Sequence, residues 1–169
     1  MKKVNFLGCL ALLLIGVSGE AYARTTVFTS GSHTNLIKIR RAKVYLVAVN
    51  DNGKTGKKIG CGDSLVPVTR IIKPTGSPLK AALEELLAIP HDYNQQLGNY
   101  WQGEKLKVKS ISLRAGLATI HITGKGPYVA GVCDEPRIKS QIEETAKQFS
   151  TVRRIKVFIN GRPLAAAIR

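Results

Sequence analysis

The first 23 residues set the conditions under which the rest of this chain folds. Met1-Lys2-Lys3 is a short positive start, residues 4 to 17 form an apolar stretch broken only by Asn5, Gly8 and Gly16, and Ala21-Tyr22-Ala23 has the small-x-small form of a cleavage site. The apolar run falls short of the roughly 20 residues that a membrane span requires. Residues 1–23 therefore read as a cleavable export signal, with an uncleaved anchor as the alternative. A lipoprotein would need a cysteine just after the apolar core, whereas Cys9 lies inside it. Cutting after Ala23 leaves 146 residues carrying two cysteines, Cys61 and Cys133. An oxidising compartment favours pairing them, which would tie together positions about 70 residues apart. Two free thiols or an intermolecular bridge are the alternatives.

A chain of 146 residues suits one domain with one core. Cleavage removes Lys2, Lys3 and Glu20 from 26 basic and 11 acidic residues, leaving 24 and 10 and a net charge of +14. Inside a cell such a balance would point to nucleic acid. Outside the cytoplasm it points to anionic envelope polymers or lipid head groups, against the plain alternative of a soluble basic surface.

Residues 24–42 begin Ser/Thr-rich and aperiodic and read as a flexible lead-in. Residues 43–49 are β-branched and aromatic and predict a strand, followed by the turn signal Asn50-Asp51-Asn52-Gly53 and an exposed, lysine-rich hairpin loop. Residues 64–72 predict a second strand, with Pro67 placing it at an edge. Ser77 reads as the N-cap of a helix begun by Pro78 and ended by Pro90. Its apolar stripe is Leu79, Ala82, Leu83, Leu86 and Leu87. After a loop at 91–104 that holds the only tryptophan, Trp101, strands resume at 105–113 and 117–123. The alternation slips between Val108 and Ile111, the mark of a bulge. A glycine-rich loop from Gly124 leads to a second helix with Asp134 as N-cap and Ile138, Ile142, Thr145, Ala146 and Phe149 as its stripe. Residues 153–159 form the last strand, and 165–169 a C-terminal tail. The order β-β-α-β-β-α-β predicts an α+β single domain, a mixed β-sheet with two helices packed on one face.

Four blocks then look familiar. They are Leu65 to Arg70 with Pro78 to Leu87; Leu113 to Ile122; Val132 to Ile138 with Gln141 to Thr145 and Gln148-Phe149; and Val152 to Leu164, closing on Asn160-Gly161-Arg162-Pro163-Leu164. In this order and spacing they resemble the GerMN domain, the sporulation and spore-germination module of bacterial envelope proteins, over residues 43–164. The chain differs from many members in having no lipoprotein cysteine and one copy of the module. The resemblance implies a fold related in shape to ring-building domains, a binding or assembly role in the cell envelope, and no catalytic residue set. Self-association is part of that expectation.

The residues argue the same way about chemistry. The histidines are His33, His91 and His121, and no G-x-S-x-G elbow exists. Glu84-Glu85 and Glu143-Glu144 point about 100° apart on a helix and read as solvated faces. Cys61, Cys133 and a histidine lack zinc-ligand spacing, and Gly124-Lys125-Gly126 is not a phosphate-binding loop. No cofactor is expected. The candidate binding face comprises Lys107, Lys109, His121, Arg154, Lys156 and Phe158; alternation turns Arg154, Lys156 and Phe158 away from Ile155, Val157 and Ile159, and His121 away from Ile120 and Ile122. The expectation is an exported, periplasmic or extracellular, non-catalytic module. It would bind an envelope protein or an anionic wall polymer, with self-assembly a further expectation. A small extracytoplasmic hydrolase with an unrecognised site is the alternative, nucleic acid is disfavoured by export, and no transmembrane span is expected after cleavage.

Overall fold

Strand β1, Arg40–Ala48, runs antiparallel to β3, Ser64–Ile72, with Arg40 opposite Ile72 and Ala48 opposite Ser64. The computed structural model describes residues 40–168. The expected signal segment, most of the lead-in and Arg169 lie outside the described residues. The chain turns after β1 through Asn50 and Asn52, both with positive φ, and Gly53, the residue types that take left-handed backbone most readily. A two-residue strand β2, Lys57–Lys58, pairs with Leu65 and Ser64, so the first sheet has the order β1-β3-β2. Pro67 is tolerated in β3 for a geometric reason. The odd positions of β1 send their backbone groups away from β3, and Pro67 stands opposite Tyr45. Its nitrogen therefore faces the stretch of edge that β2 does not cover.

Helix α1, Pro78–Ala88, begins with proline where the missing N–H costs nothing. Ser77 precedes it but makes no side-chain cap; its own N–H donates to Thr75 Oγ1 at 3.1 Å. Ile89 is extended ahead of Pro90 and ends the helix. Ala82, Leu83 and Leu86 are fully buried. Leu83→Ala is expected to destabilise the protein by about 3 kcal/mol, read as an earlier urea midpoint with an unchanged slope.

Strands β4, Lys107–Arg114, and β5, Leu117–Thr123, form a hairpin closed by Ala115 and Gly116, both at positive φ. Such a turn matches the twist of the strands it joins. The register shifts between Val108 and Ser110, where the alternation slipped. Helix α2, Asp134–Lys147, carries the chain over so that β6, Arg154–Ile159, pairs parallel to β5. A parallel pair requires such a crossover. Strand β7, Arg162–Pro163, and a short helix α3, Leu164–Ala167, finish the chain. Leu164 and Ile168 are buried, so the expected tail packs into the core. The second sheet has the order β4-β5-β6-β7.

The α+β class holds, and the strands divide between two sheets where one was expected. The outer edge of β1 is occupied by a row of helix side chains, not by another strand. Gln148 Oε1 accepts the Lys43 N–H at 2.7 Å and its Nε2 donates to the Lys43 carbonyl at 2.6 Å. Thr145 Oγ1 accepts the Tyr45 N–H at 3.1 Å, and Gln141 Nε2 donates to the Tyr45 carbonyl at 2.9 Å. Gln141, Thr145 and Gln148 recur at i, i+4 and i+7, one face of α2, and supply what a neighbouring strand would supply. An exposed edge invites pairing with other chains, and this one is closed. The main core lies between the sheets and helices, with Val44 and Leu46 from β1, Leu86 from α1, Ile120 from β5, Ile142 from α2 and Val157 from β6. Among the described residues, no helix is long and apolar enough to cross a membrane.

Candidate binding face

Both helices pack on the same face of the second sheet, against Ile120 and Ile122 of β5 and Val157 and Ile159 of β6. The alternate residues make up the other face. Register aligns them in three rows: Ser110, His121 and Phe158; Ser112, Thr119 and Lys156; Arg114, Leu117 and Arg154. The His121 and Phe158 rings stack at 5.0 Å with planes 13° apart. Lys107 stands opposite Thr123 at the end of the same face. Lys107, Arg114, Arg154 and Lys156 are all exposed, and none has an acidic side chain within ion-pair distance among the described residues.

Five of the six residues expected on this face thus come together in register. Lys109 does not, because it is the extra residue at the bulge, exposed and without an opposite partner. Arg114 belongs to the face and sequence reasoning missed it. Counting through the bulge instead of past it would have put Arg114 in register with Leu117 and Arg154. The histidine–aromatic pair at the centre gives the face a flat apolar patch ringed by cations. Such a surface can hold an anionic chain by charge and stack its apolar parts.

A second cluster joins the first hairpin to α2. Cys61 and Cys133 are bonded, with Cα atoms 5.9 Å apart. Cys133, not Asp134, occupies the N-cap position. Asp134 is the first helical residue and reaches back, its Oδ2 accepting the N–H groups of Ala130 at 2.8 Å and Gly131 at 3.1 Å. This ties down the glycine-rich loop. Next to the disulfide, Arg137 Nε donates to Asp63 Oδ2 at 2.6 Å and Nη1 to Asp134 Oδ1 at 3.2 Å. Its guanidinium lies 4.7 Å from the centre of the Tyr100 ring. Asp63 is fully buried and also accepts the Asn50 N–H at 2.9 Å. Burial works against the Arg137 cation, but Asp63, Tyr100 and Asp134 together outweigh it and hold the guanidinium pKa above its ordinary value. Burial pushes the Tyr100 phenol up.

These contacts are structural. They hold the hairpin turn, the 91–104 loop and the start of α2 together. The helix carboxylates are engaged as surface pairs, Lys80 with Glu84 and Arg70 with Glu85 on α1, and Lys57 with Glu144 on α2. Among the described residues no group of three or more His, Cys, Asp or Glu side chains is placed to hold a metal ion.

Residues 43–165 match the family model described as "Germane: Sporulation and spore germination". The chain belongs to this family. The solved tandem GerMN domains of the sporulation protein GerM from Bacillus subtilis are 22% identical, with a TM-score of 0.55 over 73% of this chain. This chain spans 40% of the length of that tandem structure. The first GerMN domain of the same protein, solved alone, is 20% identical with a TM-score of 0.52, covering 74% of this chain and 86% of that one. At these identities the likeness establishes the fold. None of the curated proteins matches the sequence.

Proposed function

We propose that this GerMN-type domain is an exported, non-catalytic module of the cell envelope that binds an anionic wall polymer through the open face of its second sheet. The observation that carries the reading is the set of unpaired cations, Lys107, Arg114, Arg154 and Lys156, around the stacked His121 and Phe158 rings. A net charge of +15 would attract polyanions to any part of the surface. Unpaired cations such as Arg41 and Lys73 stand elsewhere too; what favours this face is that four of them gather on one sheet surface beside the stacked rings. Family membership supports an envelope setting, and the positive-apolar-small pattern of residues 1–23 supports export.

Co-sedimentation with purified cell-wall sacculi tests this. The protein is expected to be retained, and the paired reversal Arg154→Glu with Lys156→Glu to cut its affinity about tenfold or more. The paired reversal Arg41→Glu with Lys73→Glu changes the net charge equally at exposed positions elsewhere. It is expected to have a much smaller effect. Equal losses from the two pairs would mean that charge alone drives retention and would overturn the assignment of the face.

A further inference from the structure

A cleft of about 810 Å³ opens at the end of the first sheet, away from the basic face. One wall is the turn after β1, with Asn50, Asp51, Lys54 and Thr55; the other is the 91–98 loop, with His91, Asp92, Gln95 and Gln96. We propose that this cleft is a binding site for a neutral, hydroxyl-rich oligosaccharide. The proposal is independent of the reading of the sheet face.

Charge is the first argument. The cleft sets two carboxylates against one ammonium in a chain of net charge +15. It is a poor seat for a polyanion. The groups lining it are donors and acceptors in near balance, which is what sugar hydroxyls, each both donor and acceptor, require. Asp51 and Asp92 are each held by a hydrogen bond from their own loop, and Asp51 by Ser64 as well. Asp51 Oδ2 accepts the Thr55 N–H at 2.8 Å and Asp92 Oδ1 accepts the Gln95 N–H at 2.6 Å. Hydrogen bonds from Ser64 and Thr55 hold the Asp51 carboxyl below the usual range, so it is an ionised acceptor. His91 places Nδ1 2.8 Å from the Asn99 carbonyl. A carbonyl only accepts, so Nδ1 carries a proton and the ring is held in place by this bond.

Apolar walls are the second argument. Ala48, Val49, Val66 and Leu97 line the cleft beside the Tyr100 ring, and Val49 is 46% exposed. They offer surface for the C–H faces of sugar rings. The volume lies in the range of small-ligand sites.

Preorganisation is the third. The floor is fixed by mutual backbone bonds between Val47 and Gly98, at 2.9 and 2.8 Å. Fully buried Asn99 anchors the loop by donating to the Leu86 and Ile89 carbonyls, both at 2.8 Å. Gln95 takes a positive φ of 63°, a backbone that glutamine rarely adopts, and Asn94 Oδ1 holds the turn by accepting the N–H groups of Gln96 and Leu97. The same Val47–Gly98 pairing argues against an extended peptide as ligand. The β1 edge at Val47 is already paired and offers no ladder to join.

The test is titration of the ¹⁵N-labelled exported protein with chitotetraose and, separately, cellotetraose. Saturable amide shifts are expected at residues 50–55 and 91–98 with at least one of them. The apparent affinity should not change between roughly 0.05 and 0.5 M salt, since a neutral ligand has no charge to screen. Gln96→Ala is expected to weaken binding about tenfold while leaving the rest of the spectrum in place. Absence of shifts with both sugars, shifts confined to other surfaces, affinity that collapses with salt, or full binding by a Lys54→Ala/Gln96→Ala variant would each overturn the proposal. None of these results bears on the sheet face, whose test reads Arg154 and Lys156.

Discussion

Arg137→Ala is expected to cost about 3–5 kcal/mol of folding stability, a large part of what a domain of this size has. The loss comes less from the attraction removed than from what remains. Asp63 is fully buried and would lose the Arg137 guanidinium while keeping the Asn50 N–H on its other oxygen. Removing one member of a buried pair leaves an uncompensated ion where water cannot reach it. Tyr100 would lose the cation beside its ring, and Asp134 one of its partners. Arg137→Lys should recover part of the loss, because an ammonium can meet Asp63 but cannot fork to Asp134 as a guanidinium does. Asp63→Asn in the Arg137→Ala background should also recover part, since it removes the stranded charge and keeps an acceptor for Asn50. Urea unfolding of the four proteins reads these differences. A loss below about 1 kcal/mol for Arg137→Ala would mean that Asp63 is hydrated in solution.

Opening the disulfide is expected to cost a similar amount, about 4 kcal/mol for a bridge spanning 72 positions by loop entropy. Reduction of the wild type, or the paired change Cys61→Ala with Cys133→Ala, should lower the urea midpoint accordingly. Its effect should also depend on Arg137. Asp63 lies two residues from Cys61 and Asp134 adjoins Cys133, so bridge and ion pair hold the same two segments in register. A double-mutant cycle combining the cysteine pair with Arg137→Ala should therefore show a coupling of about 0.5–3 kcal/mol. Additive losses would mean that each constraint acts alone.

Much of the fold was legible because its signals are local. The stripe from Leu79 to Leu87 is one turn-by-turn pattern, and α1 buries three of those five side chains completely. The slip between Val108 and Ile111 marked the bulge, since alternation has a fixed period and any insertion breaks it. At the helix starts, where expectation and structure part, a competing contact within four residues decides. Asp134 fits an N-cap by type, yet its carboxylate serves Ala130 and Gly131 one turn before the helix. Ser77 fits a cap as well, but Thr75 takes its N–H and its hydroxyl caps nothing. On the candidate face, alternation identified His121, Arg154, Lys156 and Phe158. Arg114 needed the register across the bulge, which is a property of two strands together.

By itself the sequence determined the five long strands, the two long helices, their order and the family. Hydrophobic periodicity and turn chemistry act over a few residues, and four blocks in the right succession suffice for recognition. Its cysteine count, with the export pattern, pointed to the one internal pairing available. Tertiary structure alone decided that the strands form two sheets, that the edge of β1 is closed by Gln141, Thr145 and Gln148, and that a polar cleft opens beside Gly98. It also decided that Asp63 is buried against Arg137. The closed edge and the Asp63–Arg137 pair rest on hydrogen bonds and an ion pair between residues 74 to 105 positions apart, and the cleft on the mutual bonds of Val47 and Gly98. A polar side chain reads the same in sequence whether water or a distant backbone group satisfies it; only packing removes the water and fixes the partner.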